Sequence, residues 1–176
     1  MKLKSKRNFV EKLDIDGRSC VRKHFYSMDA WRTELCNHAR MAGIVSVAEI
    51  VSSAPGLIVS EYLPYPHLLD VLEKQEKQGF DVSVWESFAA WLKTVAEKSD
   101  ILPAEGNLRN FLWNESRGEV IPVDLEHWRE IPFSESAEGL VAFLLEYEPA
   151  ESCTKRKAAE ILMKNWLLTE SMTLYP

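Results

Sequence analysis

Glycine is scarce in this chain, with seven in 176 residues, and only Gly17 precedes Gly43. A loop that cradles phosphate on successive backbone N–H groups needs closely spaced glycines. The first quarter of the sequence excludes such a loop, since Gly17 follows Asp16 in a pair that signals a hairpin turn. Cysteine is sparse too. Cys20, Cys36 and Cys153 are far apart and make no CxxC, which excludes a disulfide framework and suits a reducing compartment. His24, His38, His67 and His127 share no metal-ligand spacing, so no structural zinc is expected. Of these, only His127 falls near the candidate site, where it reads as an ordinary surface or packing histidine. No segment reaches the ~18 uninterrupted apolar residues of a membrane span, and the start lacks a signal peptide's apolar run. Positive charge is short as well: 21 Lys and Arg against 27 Asp and Glu leave a formal charge of −6. A nucleic-acid partner is therefore not expected, and Lys2, Lys4, Lys6 and Arg7 read as a solvated terminus. These absences predict a soluble, cytoplasmic protein with neither a membrane nor a nucleic acid as partner.

What is present is ordinary globular material, 46 % apolar and 27 % charged. Segments 8–15 and 18–25 alternate as β-strands around Asp16-Gly17. On the second of these, Val21, Lys23 and Phe25 share a face, so Lys23 either snorkels at a sheet edge or points into a cleft. Ser27 caps a helix over 28–42 closed by Gly43, with an apolar stripe of Trp31, Leu35, Ala39 and Ala42 and with Glu34 on its border. Strands are predicted over 46–52 and 57–63, and the Pro-rich stretch from Tyr62 to Pro66 is the best boundary. Two domains follow, 1–63 and 64–176. The second is mainly helical, with helices over 67–78, 82–98, 134–147 and 153–169, and a hairpin over 110–125 turning at Ser116-Arg117-Gly118. The fold class is α+β.

Residues 102–128, LPAEGNLRNFLWNESRGEVIPVDLEHW, carry the chemistry. Asn110 precedes an apolar hairpin and Asp124 follows it, so the two ends of that hairpin offer two hard oxygen ligands of the kind that hold Mg²⁺. Singly, each candidate has a plain explanation. Asn110 can cap its own loop, Asp124 can start a turn, and Lys23 with Glu34 can be a surface pair worth less than ~1 kcal/mol. In this order together, they point to a phosphate site.

Over residues 8–148 the order of elements resembles the protein-kinase-like fold, in its small-molecule branch of aminoglycoside and choline phosphotransferase-like kinases. The resemblance implies two lobes: a reduced N-terminal lobe of a short antiparallel sheet plus one helix, and a mainly helical C-terminal lobe. Lys23 in CVRKHF is similar to the strand lysine that meets nucleotide phosphates, and Glu34 in WRTELC to the helix glutamate that pairs with it. Backbone groups around Glu61, Tyr62 and Leu63 would meet an adenine. Asn110 and Asp124 would hold Mg²⁺, and Glu105 would act on the acceptor. The cofactors implied are ATP and Mg²⁺, and the partner is an unidentified small-molecule hydroxyl.

The sequence departs from this pattern at three points. Pro103-Ala104-Glu105 stands where the family has His-x-Asp, the glycine-rich loop has no counterpart, and the chain is short. Two other readings follow: a degenerate, pseudokinase-like module that binds or regulates a protein partner, and an unrelated α+β interaction domain. Exposed strand edges would give a homodimer a reason to form. Arg109 serves either phosphate or acidic-substrate binding, or pairs with Glu105.

Overall fold

The computed structural model describes the backbone of residues 2–3, 8–147 and 152–173, and the side chains of 8–147 and 153–165. The chain is α+β. Its first third forms an antiparallel sheet in the order β1-β2-β3-β5-β4, built from β1 (Lys2–Leu3), β2 (Phe9–Ile15), β3 (Arg18–His24), β4 (Ile50–Ala54) and β5 (Leu57–Glu61). The β2–β3 turn places Asp16 at φ 51° and Gly17 at φ 81°, the left-handed pair of a type I′ hairpin whose twist matches the strands. The register pairs Val10 with Lys23 and Lys23 with Ile58, and likewise Lys12 with Val21 and Val21 with Ser60. Directly paired residues share a face, so Lys23 lies on one side of the sheet with Val10, Val21, Ile58 and Ser60.

Helix α1 (Met28–Met41) joins β3 to β4, and the Ser27 hydroxyl accepts from Ala30 N at its start. Its buried face differs from the apolar stripe expected at Trp31, Leu35, Ala39 and Ala42. Asn37 and Met41 are buried, whereas Ala39 and Ala42 are exposed. The reason is polar. The Asn37 side chain reaches the second half of the chain, donating 2.9 Å hydrogen bonds from Nδ2 to the carbonyls of both Leu125 and Trp128. Gly43 also does not take the left-handed helix-stop conformation, because Ile44 N and Val45 N both return to Met41 O and continue the turn. The next segment stays on the helix, with a ring nitrogen of His38 2.6 Å from Ala48 O. That attachment delays β4 to Ile50 instead of the expected 46.

The remaining helices are α2 (Leu68–Gln78), α3 (Val82–Lys98), α4 (Phe133–Glu146) and α5 (Ser152–Thr173). Helix α3 supplies the core. Trp85, Phe88, Trp91 and Leu92 are buried on it, and Phe88 and Trp91 meet Phe111 with ring centroids 5.0 and 5.7 Å apart. Trp91 also meets Trp128 edge-on at 6.0 Å, a favoured aromatic geometry. Between α3 and α4 run two small ladders. Strand β7 (Phe111–Asn114) pairs with β8 (Glu119–Pro122), and β6 (Leu102–Pro103) with β9 (Trp128–Arg129). The β6–β9 ladder had no sequence signal because each strand is two residues long. It brings the loop after Pro103 beside the 3₁₀ turn of residues 125–127.

Candidate functional site

The open end of the β7–β8 hairpin sets the geometry. Phe111 pairs with Pro122, and Val123 N donates to Asn110 O at 2.8 Å, so Asn110 and Asp124 leave the same end of the ladder. Asn110 closes the short 3₁₀ turn Leu108–Asn110, its N–H bonding Asn107 O at 2.9 Å. Asp124 has φ 62° and ψ 62°, a left-handed conformation that short polar residues tolerate better than most but that still costs of order 1–3 kcal/mol.

Lys23 arrives from the sheet and meets three carboxylates. Its Nζ contacts the Asp124 carboxylate and lies 3.4 Å from Glu34 Oε2 and 3.3 Å from Glu126 Oε2. The Lys23 and Glu34 side chains are each 13 % exposed, that of Glu126 is 3 % and that of Asp124 is 40 %. One cation among three acids leaves an excess of negative charge at a site that is buried around Glu34 and Glu126 and open to water at Asp124. Burial acts to lower the Lys23 pKa, but Glu34, Asp124 and Glu126 outweigh it and raise it above its usual value. Burial pushes the Glu34 carboxyl up to about 7; Lys23 opposes this, while Asp124 and Glu126 add to it.

Glu126 was not among the residues singled out from sequence, although the Asp-Leu-Glu spacing was a usable signal. It is firmly held: Asn8 Nδ2 donates to Oε2 at 2.8 Å and His127 Nε2 lies 3.0 Å from Oε1. Glu105 joins at one remove, its Oε1 3.9 Å from His127 Nδ1. Arg109 turns to Tyr147, whose hydroxyl also donates to the Glu73 carboxylate. Burial and then that bond to Glu73 raise the Tyr147 pKa.

Glu61, Tyr62 and Leu63 lie away from this cluster. Glu61 N bonds Glu49 O and Tyr62 N bonds Ser19 O, at 2.9 and 3.0 Å. Lys12 Nζ sits 3.5 Å from the centroid of the Tyr62 ring, a cation–π contact. Glu61 and Leu63 line an open groove of about 930 Å³ with Val45, Tyr65, Arg117 and Glu119, and neither Lys23 nor Asp124 lines it. Within the cluster, Glu34, Asp124 and Glu126 each offer an oxygen within 4.8 Å of the others. Hard carboxylate oxygens suit Mg²⁺ or Ca²⁺ better than softer metals. Comparison with models of known protein families finds no match, and comparison with curated proteins finds none either.

Asn37 holds the turn that carries Asp124 and Glu126. Asn37→Leu is expected to cost about 1–3 kcal/mol, because it removes a donor from each of two buried carbonyls, and only that of Leu125 is seen to keep another, the Trp128 N–H. Chemical denaturation measures this, and a loss under ~0.5 kcal/mol would show that those carbonyls find other partners.

Proposed function

We propose that this chain is a small ATP- and Mg²⁺-dependent phosphotransferase of the kinase-like class, acting on a small-molecule hydroxyl. One observation carries the reading: a single sheet lysine, Lys23, contacts both a helix glutamate, Glu34, and the aspartate that ends the β7–β8 hairpin, Asp124. The strand order β1-β2-β3-β5-β4, with a helix inserted after the third strand, supports it. Phosphoryl transfer asks for positioning and charge compensation more than for covalent chemistry. Lys23 would steady the phosphates, with Glu34 orienting it. Asp124 and Asn110 would hold the metal, which supplies charge neutralisation on the transferring group. Glu105 would take the proton from the acceptor hydroxyl as its oxygen bonds the γ-phosphorus and ADP departs. Arg109, bound to Tyr147, is better suited to shaping the acceptor side than to pairing with the base.

A Mg²⁺-ATP thermal shift tests this on wild type and on Asp124→Ala. At ten times its dissociation constant a ligand adds about 1.4 kcal/mol, or roughly 3–6 °C for a chain of this size. The wild type is expected to show that shift and Asp124→Ala to lose it, while staying folded because Lys23 keeps Glu34 and Glu126. No wild-type shift at millimolar ATP would sink the reading.

A second reading, a catalytically degenerate module that acts through a protein partner, is favoured by the same cluster. Lys23 is compensated by three carboxylates at once, and the residues linking β1 to β2 contain no glycine.

A further inference from the structure

We infer that His127 is a positioning residue for Glu105, the glutamate read above as the acceptor's base. The inference rests on the phosphotransfer reading and adds to it a residue that the sequence pattern left aside. Three features of the geometry lead there.

The first is backbone placement. Pro103 pairs with Trp128, and Ala104 N donates to His127 O at 3.3 Å, so the β6–β9 ladder sets the two loops side by side. Ser136 Oγ donates to Pro103 O at 2.8 Å, and Asn107 N to Glu105 O at 2.9 Å. The backbone of Glu105 is thus fixed on both sides. Its carboxylate is not fixed by these bonds, because three rotatable side-chain torsions separate it from the backbone.

The second is the orientation of the imidazole. Nε2 lies 3.0 Å from Glu126 Oε1, while Glu126 Oε2 accepts from Asn8 and faces Lys23. A ring held through one nitrogen has its other nitrogen aimed, and here Nδ1 lies 3.9 Å from Glu105 Oε1. That separation is longer than a hydrogen bond. Catalytic contacts of this kind commonly shorten when substrate binds.

The third is continuity. Lys23, Glu126, His127 and Glu105 form one unbroken series of contacts from the lysine assigned to the phosphates to the base assigned to the acceptor. Placement of that carboxylate matters, since a misplacement near 1 Å costs on the order of 100-fold in rate.

The test exploits the two ring nitrogens. Asparagine can place its side-chain N–H near the position of Nδ1, and glutamine near that of Nε2. Single-turnover Mg²⁺-ATP hydrolysis, with water as acceptor, is measured for wild type, His127→Ala, His127→Asn and His127→Gln, together with Mg²⁺-ATP affinity and melting temperature. His127→Ala and His127→Gln are expected to slow hydrolysis about 10–100-fold, with affinity within twofold of wild type. His127→Asn should recover most of the rate, and in a Glu105→Gln background His127→Ala should cause no further loss. Recovery by Gln and not by Asn would overturn the inference, because the ring would then act only by supporting Glu126. Equal loss in all three variants, or loss in none, would also overturn it. Wild type that binds Mg²⁺-ATP without turning it over refutes the role of His127 and leaves the nucleotide site standing. Failure of wild type to bind removes both.

Discussion

Lys23→Met is expected to destabilise the folded chain by about 3–5 kcal/mol at pH 8, the cost of removing one partner from a buried ion cluster. For a chain of this size that is a fall in melting temperature of about 10 °C. The loss falls mainly on Glu34 and Glu126, whose side chains are 13 % and 3 % exposed, because Asp124 at 40 % can be rehydrated. Without the ammonium these acids repel one another, and the folded pKa of Glu34, which Lys23 holds down, rises further. A carboxylate raised above its unfolded value of about 4.3 stabilises the fold below that value and loses the contribution as pH rises. The Lys23→Met deficit should therefore shrink markedly at pH 5. A deficit under ~1 kcal/mol at pH 8, or one equal at both pH values, would show that the cluster is hydrated in solution.

The wild type carries a milder form of the same dependence. Glu34 has a folded pKa of about 7, so between about 4.3 and 7 the folded state holds more protons than the unfolded one. Stability from this residue declines through that window and is flat above it. Lys23, raised above its usual value, contributes stability that persists up to its unfolded pKa near 10.4 and is lost above it. Glu34→Gln is the control: it should exceed wild type in stability at pH 8, with the difference closing by pH 5.

What sequence could and could not reveal follows from the physics of each part. Turns and long apolar helices are local. Asp16-Gly17 set the first hairpin, and the spacing of Trp85, Phe88, Leu92 and Val95 set the bounds of α3 at Val82–Lys98. Helix α1 was misread on its buried side because that side is polar, with Glu34 facing Lys23 and Asn37 facing two carbonyls. Apolar periodicity cannot find a face whose burial is compensated by partners distant in sequence. Lys23, Glu34 and Asp124 were singled out by order along the chain, and the structure brings them together. Glu126 has no place in that order and His127 reads from sequence as an ordinary surface or packing histidine, because their contacts with Asn8 and Glu105 are set only by the folded chain.

Gly106→Ala should be the most damaging single-methyl addition in the loop bearing Glu105. A Cβ at Gly106 would lie 1.9 Å from Gly139 O, 2.3 Å from Gly139 C and 2.7 Å from Leu140 N. All three are main-chain atoms of α4 and cannot rotate aside, so the helix or the loop must move by more than 1 Å to restore ordinary contact. Neither Gly106 nor Gly139 has a positive φ, so close approach, and not backbone conformation, makes Gly106 necessary. Overpacking of this kind costs about 1–3 kcal/mol, and rigid backbone puts this case at or above the upper end. The reciprocal change behaves oppositely. A Cβ at Gly139 meets nothing nearer than Gly106 N at 3.9 Å, and Gly139 lies inside α4, where Ala is favoured over Gly by about 0.5–1 kcal/mol. Urea midpoints should thus fall for Gly106→Ala and rise for Gly139→Ala; a Gly106→Ala midpoint equal to wild type would mean that α4 and this loop are not in contact in solution. Such a displacement also changes how the neighbouring Glu105 is placed against His127. On the phosphotransfer reading, Gly106→Ala should therefore lose on the order of 100-fold in Mg²⁺-ATP turnover at temperatures where it is still folded, whereas Gly139→Ala keeps the wild-type rate because it leaves the loop where it is.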